Sequence, residues 1–451
     1  MIRRWPIEGV VLPWAWSRRD EFMAHARPTG RAVATARRLI AEALACLRFG
    51  RRQHGFAAPA GPRRAAGFCE DAPLLSRLLG REQVCFQPDT LRPAVAGRAI
   101  LVTGAAGSIG SELCRQIAAL HPRLLVAFDN AESGLFYLDQ ELRDRVPGSF
   151  LPWIGDVRDS RCLQEVIARH GFDAVFHAAA YKHVPLMEAY PLELIQTNVL
   201  GTWNLVREAA HRGVGRFVLI STDKAVHPAN LMGLTKRAAE LLAAGIADAK
   251  CRTRCASVRF GNVLGSSGSV VPIFHEQIAC GGPVTVTHPD VRRYFMTIRE
   301  AAHLVLQAAM MTEQSGTFVL DMGEPVRITD LARHMIRAWG LEPGRDIEIR
   351  YVGLRPGEKL DEELIGCEER ALPTSHPKIR ELRGSRNALP EIASWIAELR
   401  RAIYRRDESL AVAHLAALVP EYVPSRNRAA RVSKRWREPL NPHRLKQPHP
   451  A

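Results

Sequence analysis

The chain has 451 residues, 47% hydrophobic and 24% charged, which suits a folded globular protein and excludes a disordered or fibrous one. Its formal net charge is +15, but residues 1–64 carry net +9 and residues 421–451 net +6, so the body between them is neutral. The basicity thus lies in the tails, the sequence has no helix-turn-helix, zinc-finger or aromatic single-strand platform, and no nucleic-acid partner is expected.

Residues 1–66 read as a basic N-terminal segment and linker, with 54–66 rich in Ala, Gly, Pro and Arg. The longest apolar-rich stretch there, 39–49, contains Glu42 and Arg48 and falls short of the ~20 residues a bilayer span needs. Residues 31–49 have the pattern of a basic amphipathic helix, suited to a membrane surface or a partner protein. Arg3-Arg4 is not followed by a clean apolar stretch and cleavage site, so no signal peptide is expected. The nine cysteines are irregularly spaced and include no Cys-x-x-Cys pair. Reduced thiols, a cytoplasmic location and no metal site follow as expectations. The basic tails allow peripheral contact with an anionic membrane face.

Residues 67–98 lead into the first strand. Residues 99–103 are apolar and precede Gly104-Ala105-Ala106-Gly107-Ser108-Ile109-Gly110, after which a helical pattern runs through Ile117 and Leu120. Glycines at 104, 107 and 110 between a strand and a helix are suited to a dinucleotide pyrophosphate at the helix N-terminus. Ser108 and Ile109 lie in that turn. A second strand, 124–128, ends at Asp129, placed to accept hydrogen bonds from an adenosine ribose. A carboxylate there repels a 2′-phosphate and so favours NAD over NADP. Asp156 and Val157 close a third strand, a natural place for an adenine contact. Residues 173–180 read as a fourth strand whose small end residues, Ala178 and Ala180, lie along the cofactor path.

A fifth strand, 216–220, runs into Ser221-Thr222-Asp223-Lys224, which puts an acid and a base at the carboxyl end of a parallel strand. Lys236 follows Met232 by one helical turn and should share its face. The alternation of strands and helices over 99–260 implies an α/β fold, a Rossmann doubly wound parallel sheet. Beyond it, 261–390 reads mainly as a smaller C-terminal substrate-binding lobe, with helices near 298–312 and 329–340 and strands near 316–320 and 346–352. Residues 391–420 read as C-terminal helices and 421–451 as a basic tail.

Seven segments in order resemble the extended short-chain dehydrogenase/reductases, and more narrowly the CapD-like nucleotide-sugar 4,6-dehydratases of bacterial polysaccharide biosynthesis. They are 103–112, 177–188, 197–202, 221–236, 258–270, 290–297 and 353–360. The resemblance implies NAD as cofactor and UDP-N-acetylglucosamine as substrate. The reaction it implies is oxidation at C4, loss of water across C5–C6 and hydride return to C6, giving a UDP-2-acetamido-2,6-dideoxy-4-keto-hexose. It assigns Lys224 as the base at C5, Asp223 as the acid at C6 and Lys236 as the partner of the nicotinamide ribose. Lys182 and Asn198 join the cofactor side. His183, Glu188, Arg259, Asn262, Arg293, Tyr294, Arg355 and Glu358 are the expected substrate contacts.

For Lys224 to act as a base its pKa must be lowered by burial or nearby cations, for which Lys182 and Lys236 are the candidates. Met232 stands where the superfamily carries tyrosine, and a thioether takes no useful part in proton transfer. A methionine-bearing subset of the dehydratases, with retention at C5, is the implied placement. Thr222, Asp223 or an ordered water are left to receive the C4 proton. The larger family members usually carry transmembrane helices ahead of this domain, a region that reads here as lost or truncated by the choice of start codon. A homo-oligomer is also expected. The competing readings are a UDP-hexose 4-epimerase, which needs no acid/base pair for C5 and C6, and a catalytically silent nucleotide-sugar-binding protein.

Overall fold

The computed structural model describes residues 79–248, 251–312, 315–384 and 391–424. The amphipathic pattern at 31–49 and most of both basic tails lie outside them. Among the described residues no helix is long and apolar enough to cross a membrane.

Six parallel strands form the body: β1 (Ala99–Thr103), β2 (Leu124–Asp129), β3 (Phe150–Ile154), β4 (Ala174–His177), β5 (Arg216–Ile220) and β6 (Arg254–Arg259). Near-continuous apolar runs such as Ala-Ile-Leu-Val-Thr suit strands covered on both faces. In β1, Ala99 and Leu101 enter one core while Ile100 and Val102 enter the other, as the period of two requires. On the first face lie the helices Ser160–His170, Thr202–His211, Leu231–Asp248, Ile392–Tyr404 and Glu408–Leu418. On the second lie Ser108–Ala118, Glu132–Leu142 and Ile298–Met311. The strand order begins β3-β2-β1-β4-β5-β6, so the chain reverses direction between β1 and β4, where open α/β sheets bind their ligands.

The sheet continues past residue 260. The strand Gly316–Leu320, expected in the lobe, pairs parallel with β6, and Ile379–Arg383 and Arg370–Pro373 extend it antiparallel. The lobe proper has its own core, built from the helices Val270–Ala279 and Ile328–Ala338 beneath the pairing of Val284–Val286 with Ile349–Tyr351. The lead-in is fastened by Arg81, which donates to both carboxylate oxygens of Glu300 at 2.6 and 3.1 Å.

β4 is shorter than the sequence suggested. It ends at His177, and Ala178 to Ala180 leave the strand. Ala178 N still donates to Thr103 O at 2.9 Å, and Gly104, at φ +70°, lies so close to the backbone of Ala178 and Ala179 that no side chain would fit at 104. His177 itself is buried between β1 and the six-residue π-helical turn Gln196–Gly201. The Thr202 hydroxyl donates to the Asn198 carbonyl at 2.7 Å, so His177 Nε2 must donate to Thr202 at 2.9 Å. Nδ1 then accepts from the Thr103 hydroxyl at 2.7 Å. Burial, helped by Lys236, lowers the pKa of this imidazole to about 3.

An imidazole held neutral in the fold but free to charge when unfolded contributes stability that is complete above pH 6.5 and is lost as pH falls toward 3. Between pH 8 and pH 5 this amounts to about 2 kcal/mol. Urea unfolding at the two pH values should show the wild type losing at least that much, and His177→Gln losing about 2 kcal/mol less.

Candidate functional site

The carboxyl ends of β1, β4 and β5 converge on one surface. Gly107 caps the helix Ser108–Ala118, whose first-turn N–H groups are the free donors a phosphate requires. Asp129 braces this turn, with Oδ2 accepting from Ala106 N and Oδ1 from Ala131 N, both at 2.9 Å. The carboxylate expected to meet a ribose therefore also holds the glycine loop, and each oxygen keeps a second lone pair. Asp156 lies alongside, bonded to Asn130 at 3.3 Å and to Arg158. Its pKa is lowered because hydrogen bonds from Arg158 outweigh the opposing effect of burial. Val157 is buried at the foot of this corner. Ser108 Oγ accepts from Ser267 N at 3.1 Å and so bridges the glycine loop to the lobe.

Asn198 serves the site indirectly. Its amide receives Tyr181 N at 2.8 Å and donates to Tyr181 O at 3.0 Å and to Thr235 Oγ1 at 3.1 Å. That ties the segment after β4 to the helix Leu231–Asp248. Lys182 and His183 are exposed on the same segment, and Gly268 packs against the His183 ring. Glu188 caps the helix Leu231–Asp248, with Oε1 accepting from Leu231 N at 2.7 Å. Met232 is buried in the core on this helix. Lys236, one turn on, is buried, and its ammonium has no hydrogen-bond partner among the described residues. Burial pulls its pKa down to about 8, against Glu240.

The turn after β5 gathers the acid and base singled out in the sequence. Asp223 is fully buried, and its Oδ1 accepts from Thr222 Oγ1 at 2.8 Å and from Lys224 Nζ at 3.0 Å. Its Oδ2 is buried without a hydrogen-bond partner among the described residues. Lys224 Nζ also reaches Asn262 Oδ1 at 3.3 Å and Glu362 Oε1 at 3.7 Å. Gly233 lies against the Lys224 carbonyl with no room for a side chain, which seats the turn on the helix.

The expectation of a lowered pKa at Lys224 is corrected. Burial does act that way, but Asp223 and Glu362 outweigh it, and the pKa is raised. The opposing cation is Arg293, not Lys182 or Lys236. Glu362 is the functional residue that sequence reasoning missed. It is buried, and burial first, then Asp223, raise its pKa against Lys224. Only its place in an acidic run, Asp361-Glu362-Glu363, hinted at it.

Arg259 is also corrected. It is 1% exposed, and its Nε and Nη2 grip Glu240 at 2.8 and 2.7 Å while Nη1 takes Glu369 at 2.7 Å. All three guanidinium nitrogens are thus engaged by buried or half-buried carboxylates. Arg293 clasps the chain at 358–360 through the carbonyls of Lys359 and Leu360, both at 2.9 Å, and Glu358 at 3.3 Å. Glu358 is further held by Thr287 and by Arg355 N. Tyr294 lies beside Gly261, within the field of Asp223. Arg355 is exposed and its guanidinium has no partner among the described residues, which leaves it available to an anion. Among the described residues no cluster of three His, Cys, Asp or Glu side chains is arranged to hold a metal.

A glycine turn at the reversal of a doubly wound sheet, followed by a lysine-bearing helix, defines a nucleotide-binding protein of the extended short-chain dehydrogenase/reductase type. The chain belongs to the polysaccharide biosynthesis protein family, whose sequence profile matches residues 100–383. It is 48% identical to the capsular polysaccharide biosynthesis protein CapD of Staphylococcus aureus over 65% of this chain and 49% of that one. The chain thus spans about half the length of this relative. It is 37% identical to the UDP-glucose 4-epimerase of Rickettsia canadensis over 61% of this chain and 79% of that one. Among solved structures, Pen from Bacillus thuringiensis superposes with a TM-score of 0.60 at 32% identity, covering 65% of this chain and 91% of that one.

Arg259→Met leaves Glu240 buried and short of one cation, which should cost about 3–5 kcal/mol in urea unfolding at pH 7. Arg259 and its neighbours hold Glu240 at about 2, below the ordinary 4.5, so the stability it provides is present above pH 4.5 and lost toward pH 2. The penalty of the substitution should shrink as the medium is acidified through that range.

Proposed function

We propose that this protein is an NAD-dependent UDP-N-acetylglucosamine 4,6-dehydratase serving surface polysaccharide synthesis. The observation that carries the reading is the Thr222–Asp223–Lys224–Glu362 cluster, its two carboxylates buried and Asp223 Oδ2 without a hydrogen-bond partner among the described residues, beside a dinucleotide-type glycine turn. The residues fit NAD: Gly104 leaves the loop bare against β4, the helix at Ser108 offers free N–H groups, and the unpartnered Lys236 ammonium suits a ribose diol. Bound NAD would supply the hydride chemistry, as acceptor from C4 and donor to C6.

The chain's own task is to move protons. Thr222 already donates its hydroxyl proton to Asp223, so a C4 hydroxyl giving its proton to Thr222 leaves Asp223 protonated. Asp223 then becomes the acid that protonates the departing C6 hydroxyl. Lys224 must first become neutral, and Glu362, whose pKa is raised by burial, is the acceptor for that proton. Neutral Lys224 takes the C5 proton and returns it to the same face, which retains configuration. The proton from C4 leaves with water, and the enzyme ends as it began. Arg355 and Asn262 are the free donors for the UDP-sugar.

The likeness to 4-epimerases favours a second reading, in which the oxidised sugar is re-reduced at C4 with no loss of water. Mass spectrometry of UDP-N-acetylglucosamine incubated with the protein and NAD separates the two. The dehydratase gives a product lighter by one water, absent with Asp223→Asn or Lys224→Ala. An isomer of unchanged mass would establish the epimerase instead. Glu362→Gln should lower kcat by roughly 10²-fold, as loss of a proton-accepting group does, with little change in KM. NAD affinity, measured by titration calorimetry, should weaken as pH rises through about 8, where Lys236 loses its charge. Lys236→Met should bind NAD weakly at every pH.

A further inference from the structure

Behind the Asp223–Ala225 turn, β6 and the residues after the lobe enclose a cleft of about 1180 Å³. Its lining includes none of Asp223, Lys224 or Lys236, so it is separate from the nucleotide site. His227 and Cys367 both face it. Cys367 Sγ lies 3.4 Å from His227 Nε2, and His227 Nδ1 lies 2.7 Å from Glu363 Oε2. A hydrogen bond from His227 holds the Glu363 carboxyl below its usual range, so it is ionised and only accepts. Nδ1 therefore donates to the carboxylate, and Nε2 is the ring nitrogen that faces the thiol. Nucleophile, base and orienting carboxylate stand in the order that activates a cysteine. His227 adopts φ +40°, a left-handed conformation rare outside glycine, and that aims the ring at Cys367. Cys255 and Cys114 are buried, and burial pushes the Cys255 thiol up to about 12 and raises that of Cys114 too.

We propose that Cys367 is a nucleophilic thiol, with His227 as its base and Glu363 orienting that base, which forms a mixed disulfide with low-molecular-weight disulfides. The thiol proton passes to Nε2, and the sulfur attacks one sulfur of the incoming disulfide. That S–S bond breaks as the new one forms. The departing thiolate takes the proton back from His227, so Cys367 is oxidised and one half of the small disulfide is reduced to a thiol.

Cys85 and Cys280, exposed like Cys367, provide internal controls. The full chain is treated with limiting iodoacetamide at pH 7, and each cysteine peptide is quantified by mass spectrometry. Cys367 should react roughly tenfold faster than Cys85 and Cys280, since an ordinary thiol is only a few per cent thiolate at that pH. His227→Ala and the milder Glu363→Gln should each remove most of that advantage. Oxidised glutathione should add once per chain, at Cys367, and be released by reductant. Equal rates at the three wild-type thiols would overturn the proposal. So would an advantage that survives both variants, or glutathione adding no faster at Cys367 than at the controls. None of these readouts depends on sugar-nucleotide turnover.

Discussion

The grip of Arg259 on Glu240 sets the geometry on which the rest of the site rests. Both charges are all but removed from water, and desolvation alone would make either intolerable. Two parallel hydrogen bonds, with Ser221 donating to Glu240 at 2.6 Å and Arg237 at 3.0 Å, restore what water would have provided. The four residues come from β5's end, β6 and the helix Leu231–Asp248, so satisfying these charges fixes the helix against the sheet. Lys236 lies on that helix and Asp223 two residues past Ser221. Their separation is therefore determined by a pair that touches no ligand.

The second constraint is proton count. Asp223, Lys224 and Glu362 bring two carboxylates to one ammonium in a buried space, so the cluster favours holding an extra proton over exposing a second bare carboxylate. Met232 adds no titrating group nearby. A tyrosine at that position would bring a further proton site. Under the proposed reading, the proton inventory then falls on Thr222 and the two carboxylates, one of them from the distant residue Glu362.

Local spacing carried the legible part of this molecule. Gly104, Gly107 and Gly110 declare their turn within seven residues, and Asp223-Lys224 declares itself at a strand end, because each signal depends only on neighbours along the chain. Arg259 was misread for the opposite reason. An arginine at a strand terminus faces either the ligand or the helix behind, and only the long-range placement of Glu240 and Glu369 decides. Glu362, the lysine pKa it helps to raise, and the cap from Glu188 to Leu231 belong to the same class of long-range contact. The strand Gly316–Leu320 was correctly seen as a strand but assigned to the wrong layer, since periodicity reports burial and not which sheet supplies it.

That return of the chain to the sheet has a consequence for how the molecule divides. The lobe is not an appendage beginning after β6; its segments are loops thrown out between strands of one continuous sheet, at 316–320 and again at 370–383. Severing the chain near 260 would strip the neighbour from β6 and leave its backbone edge unpaired and open to self-association. The excursions themselves are 260–297, which ends where the helix Ile298–Met311 returns to the second face of the sheet, and 321–369, which ends at the antiparallel strands. Exchange of specificity between relatives would thus proceed by grafting loops, and not by trading domains.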